Sequence, residues 1–187
     1  MQVATDAELV QEVRNGSRQA FTELMRRYQE RVYWTARRIV GGHDDAEDVA
    51  QETFVRAYLN LGEFRSDSAF FTWLYRIAVN LSLNHLRKRQ VVRYLRESDL
   101  LSRFVAGEET PSSEYEFKET QGRLHAAVQT LPERQKAVFV LRFFDGMQYD
   151  EIAEILKTSV GGLKANYFHA LRKIREAMKD EVQKDSR

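Results

Sequence analysis

The stretch "YDEIAEILKTSVGGLKANYFHALRKIREAM", Tyr149 to Met178, holds two helical patterns on either side of a short break. Ile152, Ala153 and Leu156 share one side of the first, and "KTSV" makes the turn. At about 100° per residue, Leu163, Tyr167, Leu171, Ile174 and Met178 form one buried stripe on the second. This is a helix-turn-helix pattern. Lys164, Ala165, Phe168, His169, Arg172 and Arg175 fall on the opposite, basic face. A solvated helix has little use for Phe168 there. A helix in a DNA major groove can set Ala165 and Phe168 against thymine methyls, with lysine and arginine on guanine or phosphate. The plainer alternative is a solvated basic helix with Phe168 in a domain contact.

Upstream of this motif, Thr130 and Glu133 bracket Pro132 as a helix start, and Asp145-Gly146 ends that helix. A further helix is expected near Tyr115 to Gln129. Before it, "QVVRYLRESDLLSRFVAGEETPSSEYE" has weak periodicity and reads as a linker, whose first part can extend the helix ahead of it. In the N-terminal part, Thr5 with Glu8 forms a capping box, Asn15-Gly16 a stop, and Ser17 the next cap. Phe21, Leu24, Tyr28 and Val32 then mark an apolar stripe that runs on to Gly41-Gly42. Asp44 with Glu47 offers another capping box ahead of Val49, Phe54, Ala57, Tyr58 and Leu61, and Gly62 ends that helix. With two prolines and nine glycines, the chain has too little turn punctuation for sheets. The expected fold is all-α: two small helical domains, 1–90 and 115–187, joined by a flexible linker over 91–114, with the helix-turn-helix in the second.

The first domain ends in "FRSDSAFFTWLYRIAVNLSLNHLRKR", Phe64 to Arg89. Phe70, Trp73, Leu74, Ile77 and Leu81 can form a buried face, so core packing accounts for much of its aromatic content. It accounts less well for Phe71 and Tyr75, which lie off that stripe, or for the Asn80, Asn84, Arg87, Lys88 and Arg89 that follow. Stacking surfaces, amides and cations along one rod are the ingredients of single-strand capture. Stacking a base on an aromatic ring is worth about 1 to 3 kcal/mol, similar to the few kcal/mol needed to unstack one. A few such contacts can hold melted DNA open without ATP chemistry.

Composition removes several other classes. The 187 residues are 43% hydrophobic and 30% charged, an ordinary globular balance. A net charge of +1 means that attraction to nucleic acid depends on how the charges are distributed. Cysteine is absent, which removes disulfides, thiolate metal sites and a thiol nucleophile and suits a reducing compartment. No window approaches the roughly 20 apolar residues of a membrane span, so a cytoplasmic location is expected. His43, His85, His125 and His169 are scattered without an HExxH pair, and no phosphate loop precedes a lysine and hydroxyl residue. No enzymatic activity and no cofactor or metal is expected.

Asp44 to Leu61 ("DDAEDVAQETFVRAYLNL"), Phe64 to Arg89 and Tyr149 to Met178, taken together and in order, resemble a bacterial extracytoplasmic function sigma factor. The resemblance implies that the first domain holds RNA polymerase and the minus-10 promoter element, while the second reads the minus-35 element. It implies that "DAEDVAQE" docks on the clamp helices of the polymerase large subunit, with Asp48, Gln51 and Glu52 as contacts, and that the flap is a further partner surface. Those three side chains also lie opposite the Val49, Phe54, Ala57 stripe, leaving an acidic patch for a basic partner. Asp44, Asp45 and Glu47 are explained equally well as complements to a helix N-terminus.

The resemblance further implies that "FRSDSAF" receives a flipped nontemplate base. Phe64, Asp67, Ser68 and Asn80 would form the pocket, Trp73 and Tyr75 would support or flank it, and Asn84, Arg87 and Lys88 would follow the strand. On the recognition helix Lys164, Ala165, Phe168, His169 and Arg172 would face the minus-35 element. Gly162, Ala165, Asn166 and His169 depart from the family's usual hydroxyl and arginine side chains, so no promoter sequence is carried over. An anti-sigma protein covering these faces is a further implied partner.

A flexible chain of about 25 residues has a typical span near 25 to 30 Å and a limit of roughly 80 Å. Promoter elements one and a half duplex turns apart are separated by about 50 Å. A scaffold that holds the two domains apart is therefore needed, and core polymerase is the implied one. The rival is a one-component regulator that binds a palindromic operator as a dimer. It accounts for the helix-turn-helix but leaves Phe64 to Arg89 without a role.

Overall fold

The computed structural model describes residues 4–64, 69–98 and 117–184. Among the described residues the chain forms α1 (Asp6–Arg14), α2 (Arg18–Val40), α3 (His43–Asn60), α4 (Phe70–Ser98), α5 (Phe117–Gln129), α6 (Glu133–Phe139), α7 (Tyr149–Leu156) and α8 (Val160–Lys184), with no strand. A 3₁₀ turn over Leu61–Glu63 follows α3, and α6 continues as a π-helical stretch over Val140–Phe144.

Local chemistry sets the boundaries. Thr5 and Glu8 close the expected capping box, with the Thr5 N–H donating to Glu8 Oε2 at 2.6 Å. Gly41 ends α2 at φ +91°, a left-handed conformation that a side chain would strain. The expected Asp44–Glu47 box does not form. Helix α3 begins at His43 after Gly42, which has no capping side chain, so Asp44 and Asp45 lie within the first turn and complement the helix dipole instead. Helix α4 runs to Ser98 and takes in the first eight residues of the expected 91–114 linker.

Helix α2 is the axis of the first unit, packing against α1, α3 and α4. Its inner face carries Ala20, Leu24, Val32, Thr35, Ala36 and Ile39, all buried. Tyr58 departs from the expected apolar stripe: it is 46% exposed, with its edge against Phe21 at 4.9 Å. In the second unit α5, α6 and α7 pack against α8. The two units also pack on each other, α4 against α6 and α7, and α2 against α5, α6 and the π-helical stretch. One contiguous buried cluster draws residues from both.

Leu24 has no exposed surface. Leu24→Ala removes three carbons from a site walled by helices and should cost about 2 to 5 kcal/mol, read as an earlier denaturation midpoint with an unchanged urea m-value.

Candidate nucleic-acid and polymerase interfaces

Three surfaces carry the candidate residues. On α3, Asp48, Gln51 and Glu52 are exposed, while Val49, Thr53, Phe54 and Ala57 turn inward. Glu52 is paired within the helix, accepting from Arg56 Nε at 2.9 Å. Such an exposed i,i+4 pair is worth only a few tenths of a kcal/mol, so a basic partner can displace it. Two neighbours escape the sequence reading. Val55 is 51% exposed and Leu59 73%, and with Asp48 and Glu52 they follow a four-three-four spacing along one face. The signal was available as two apolar residues off the buried stripe. Acids beside exposed aliphatics give this side of α3 an apolar centre with a charged edge, the make-up of many protein interfaces.

On α4 the spacing of Trp73, Asn80, Asn84 and Arg87 places them along one side of the helix. Trp73 is half-buried, whereas Asn80, Asn84, Arg87 and Lys88 are exposed. Arg87 Nη1 donates to Asn84 Oδ1 at 3.2 Å, and Arg87 Nε lies 3.3 Å from Glu133 Oε2 on α6. At the head of this rod, Phe64 meets Trp73 at 5.2 Å and Phe70 at 6.0 Å between ring centroids. The Phe64 carbonyl accepts from the Arg14 guanidinium, which also reaches Leu61 O at 3.5 Å, so α1 fixes the chain where it enters "FRSDSAF". Asp67 and Ser68 lie outside the described residues.

Two of the expected base-contacting rings are placed otherwise. Phe64 is only 6% exposed and forms the floor of an aromatic cluster. Tyr75 has no exposed surface. Its position two residues after Trp73 turns it to the inner side of α4, where Phe71 packs at 4.9 Å and the Arg31 guanidinium lies 6.0 Å from its ring. The Tyr75 hydroxyl sits beside Thr35 and Arg31 without a well-formed hydrogen bond, and burial raises its pKa.

In the second unit Gln148 and Glu151 cap α7, and Lys157, at φ 49°, ends it in the left-handed conformation. Ser159 Oγ accepts from Gly162 N at 3.2 Å at the start of α8. Ile152, Ile155, Leu163, Ala170 and Ile174 lock the two helices together, all buried. Leu171 does not share this stripe as expected and is 37% exposed, its place on the inner face taken by Ala170. Outward face Lys164, Ala165, Phe168, His169 and Arg172, with Phe168 64% exposed. The Lys164 ammonium lies 5.8 Å from the Tyr149 ring centroid, and Arg172 is 3.9 Å from Glu176. The helix thus presents an unburied ring flanked by two cations held by weak contacts.

Comparison with known proteins agrees with this layout. The models for Sigma-70 region 2 and Sigma-70, region 4 match residues 24–92 and 121–174. The RNA polymerase sigma-H factor of Pseudomonas aeruginosa is 37% identical over 182 residues, covering 92% of this chain and 93% of the relative. The chain belongs to the sigma-70 family of RNA polymerase sigma factors. Within it the chain is an extracytoplasmic function (ECF) sigma factor: the ECF sigma-E factor of Haemophilus influenzae is 34% identical across 96% of both chains. SigW of Bacillus subtilis is 31% identical over 91% of this chain and 95% of its own. Two solved structures share the fold. CnrH, in complex with the cytosolic domain of CnrY, has a TM-score of 0.70 at 24% identity and covers 94% of this chain and 97% of its own. The sigma factor RpoE of Bartonella quintana, in complex with the anti-sigma factor NepR, has a TM-score of 0.65 at 23% identity, over 85% and 96%. Membership in the sigma factors sets aside the one-component regulator. Among the described residues of this sigma factor, no helix is long and apolar enough to cross a membrane.

Proposed function

We propose that the protein binds core RNA polymerase through Asp48, Gln51, Glu52, Val55 and Leu59 on α3. In that holoenzyme it captures the minus-10 element along Trp73, Asn80, Asn84, Arg87 and Lys88, with Asp67 and Ser68 lining the base pocket. Phe64 and Tyr75 support this surface from beneath. Lys164, Ala165, Phe168, His169 and Arg172 read the minus-35 element. The two functional domains correspond to residues 1–90 and 115–187. The observation that carries this reading is that one family member exposes three differently built surfaces: acids beside aliphatics on α3, an amide and aromatic rod on α4, and the basic outer face of a helix-turn-helix.

The division of labour follows from the chemistry. Amides and rings bind unpaired bases on their edges and faces, which favours melted over duplex DNA. The α8 face meets duplex edges and phosphates. Polymerase supplies the metals and the phosphoryl transfer, and this protein supplies address and melting without catalysis of its own. It works in the cytoplasm, with an anti-sigma protein covering the same faces when the signal is absent.

Promoter binding should be weak for the isolated protein and strong in the holoenzyme, because the scaffold removes the entropy cost of holding two domains about 50 Å apart. A gel shift showing equal specific affinity with and without core polymerase would sink this reading.

A further inference from the structure

We propose that Asp45 is a positioning residue for minus-10 capture: from the helix that docks on polymerase it holds His85 and Arg89, and so fixes the arm of α4 that carries Asn84, Arg87 and Lys88. The inference rests on the promoter-directing role just given.

The arm begins where the core stops. Ala46 and Val49 of α3 and Leu81 of α4 share a buried cluster with Ala36 and Val40 of α2, and Leu83 is buried in the larger one. None of residues 84–91 is buried. Three of the residues assigned to the minus-10 strand, Asn84, Arg87 and Lys88, therefore stand on a helix that has left its core. A helical segment without tertiary packing opens easily, and Val91 and Val92 add little helix propensity of their own. A contact beyond Leu83 is needed to hold the arm in register with α3.

Asp45 supplies that contact. Its Oδ2 accepts from Arg89 Nη1 at 3.0 Å, and its Oδ1 lies 3.1 Å from His85 Nε2, a buried nitrogen without a well-formed hydrogen bond. His85 and Arg89 are one turn apart on α4, so a single carboxylate grips both. A Cβ at Gly42 would stand 2.9 Å from Asp45 Oδ2, although the backbone there, at φ −94° and ψ 149°, suits any residue. The missing side chain leaves the carboxylate room to turn toward α4. From the other side, Tyr33 Oη and His43 Nδ1 meet at 2.7 Å and pin the same turn of α3 to α2.

Complementing the helix dipole requires none of these contacts. Along α3, Asp45, Asp48, Glu52, Val55 and Leu59 follow a three-four-three-four spacing, which sets Asp45 at the end of the docking face. Asp48 and Glu52 are exposed there, whereas the Asp45 side chain is 30% exposed and turned to α4. The acids of "DDAEDVAQE" thus divide: Asp48 and Glu52 meet the partner, and Asp45 carries the partner's grip to the DNA-binding arm. Ion pairs this exposed add little to stability, so the consequence falls on the placing of the arm, where small displacements weaken contacts.

The test is a double-mutant cycle with Asp45→Asn and Arg89→Gln in the holoenzyme. It is read as affinity for a fluorescent single strand carrying the nontemplate minus-10 region of a promoter that the holoenzyme transcribes. Each single variant should lose about fivefold, and the double no more than either, because both break one contact. Affinity for core polymerase should stay within about twofold of wild type. Hydrogen exchange on the free protein reads the tie without DNA: amides of residues 84–91 should exchange several-fold faster in both variants, and those of α1 at the wild-type rate. Additive losses of about 25-fold, single variants within about twofold of wild type, or a loss of core affinity equal to the loss of DNA affinity would overturn the proposal. A wild-type holoenzyme that binds this strand no better than a scrambled one would instead remove the promoter-directing role. The exchange rates then decide the tie alone, and unchanged rates past Leu83 overturn it.

Discussion

The double substitution Asp48→Lys, Glu52→Lys should weaken binding to core RNA polymerase by on the order of 100-fold or more, with the helical signal and thermal midpoint nearly unchanged. Both residues are exposed, so neither holds the fold, and the Glu52–Arg56 pair lost with them contributes little. At an interface each reversal replaces an attraction with a repulsion, and truncation of a well-buried charge alone costs 2 to 5 kcal/mol or so. Leu59→Ala should add to the loss by emptying the apolar centre beside those charges. The defect should appear in binding titrations with core polymerase and leave any residual affinity for DNA alone untouched, which separates docking from promoter reading. An affinity within about threefold of wild type would move the docking surface off α3.

The second large effect is expected on α8. Lys164→Ala, Phe168→Ala and Arg172→Ala together should lower holoenzyme affinity for a promoter with an intact minus-35 element by on the order of 100-fold, since a specific base contact is worth about 1 to 3 kcal/mol. Lys164 and Arg172 hold only weak contacts in the free protein, and Phe168 is mostly exposed, so the loss cannot come from unfolding. Removing two cations should also flatten the plot of log affinity against log salt by about two where both meet phosphate, and by less where one reads a base. The same triple variant should bind core polymerase with wild-type affinity, because α3 lies in the other unit.

The fold was legible wherever local chemistry decides it. The Thr5 box, the left-handed Gly41 and the helix-turn-helix core of Ile152, Leu163 and Ile174 follow from side chains within a few residues of each other. Asp44 was misjudged because the cap falls on Gly42, so the helix starts two residues earlier than a cap at Asp44 would require. Tyr75 and Lys136 were beyond reach for a different reason. Both are buried where the two units meet, a contact between residues far apart in sequence that leaves no periodicity in either helix. Phe64, expected in the base pocket, likewise became the floor of an aromatic cluster, since Trp73 and Phe70 pack against it from the next helix. The exposed candidate residues Asn80, Asn84 and Arg87, by contrast, fall out of their seven- and four-residue spacing alone. Val55 and Leu59 carried the same kind of signal, visible once the buried side of α3 is known.

The central claim, that this chain gives core polymerase a promoter address, is tested most directly by reconstitution. Purified protein and bacterial core RNA polymerase are incubated with a genomic fragment library, and the abortive and full-length transcripts are sequenced. The account predicts transcripts that require both components and share two upstream elements separated by about one and a half duplex turns. Transcription that stays at the level of core polymerase alone, with the protein binding polymerase but selecting no common start sites, would contradict it.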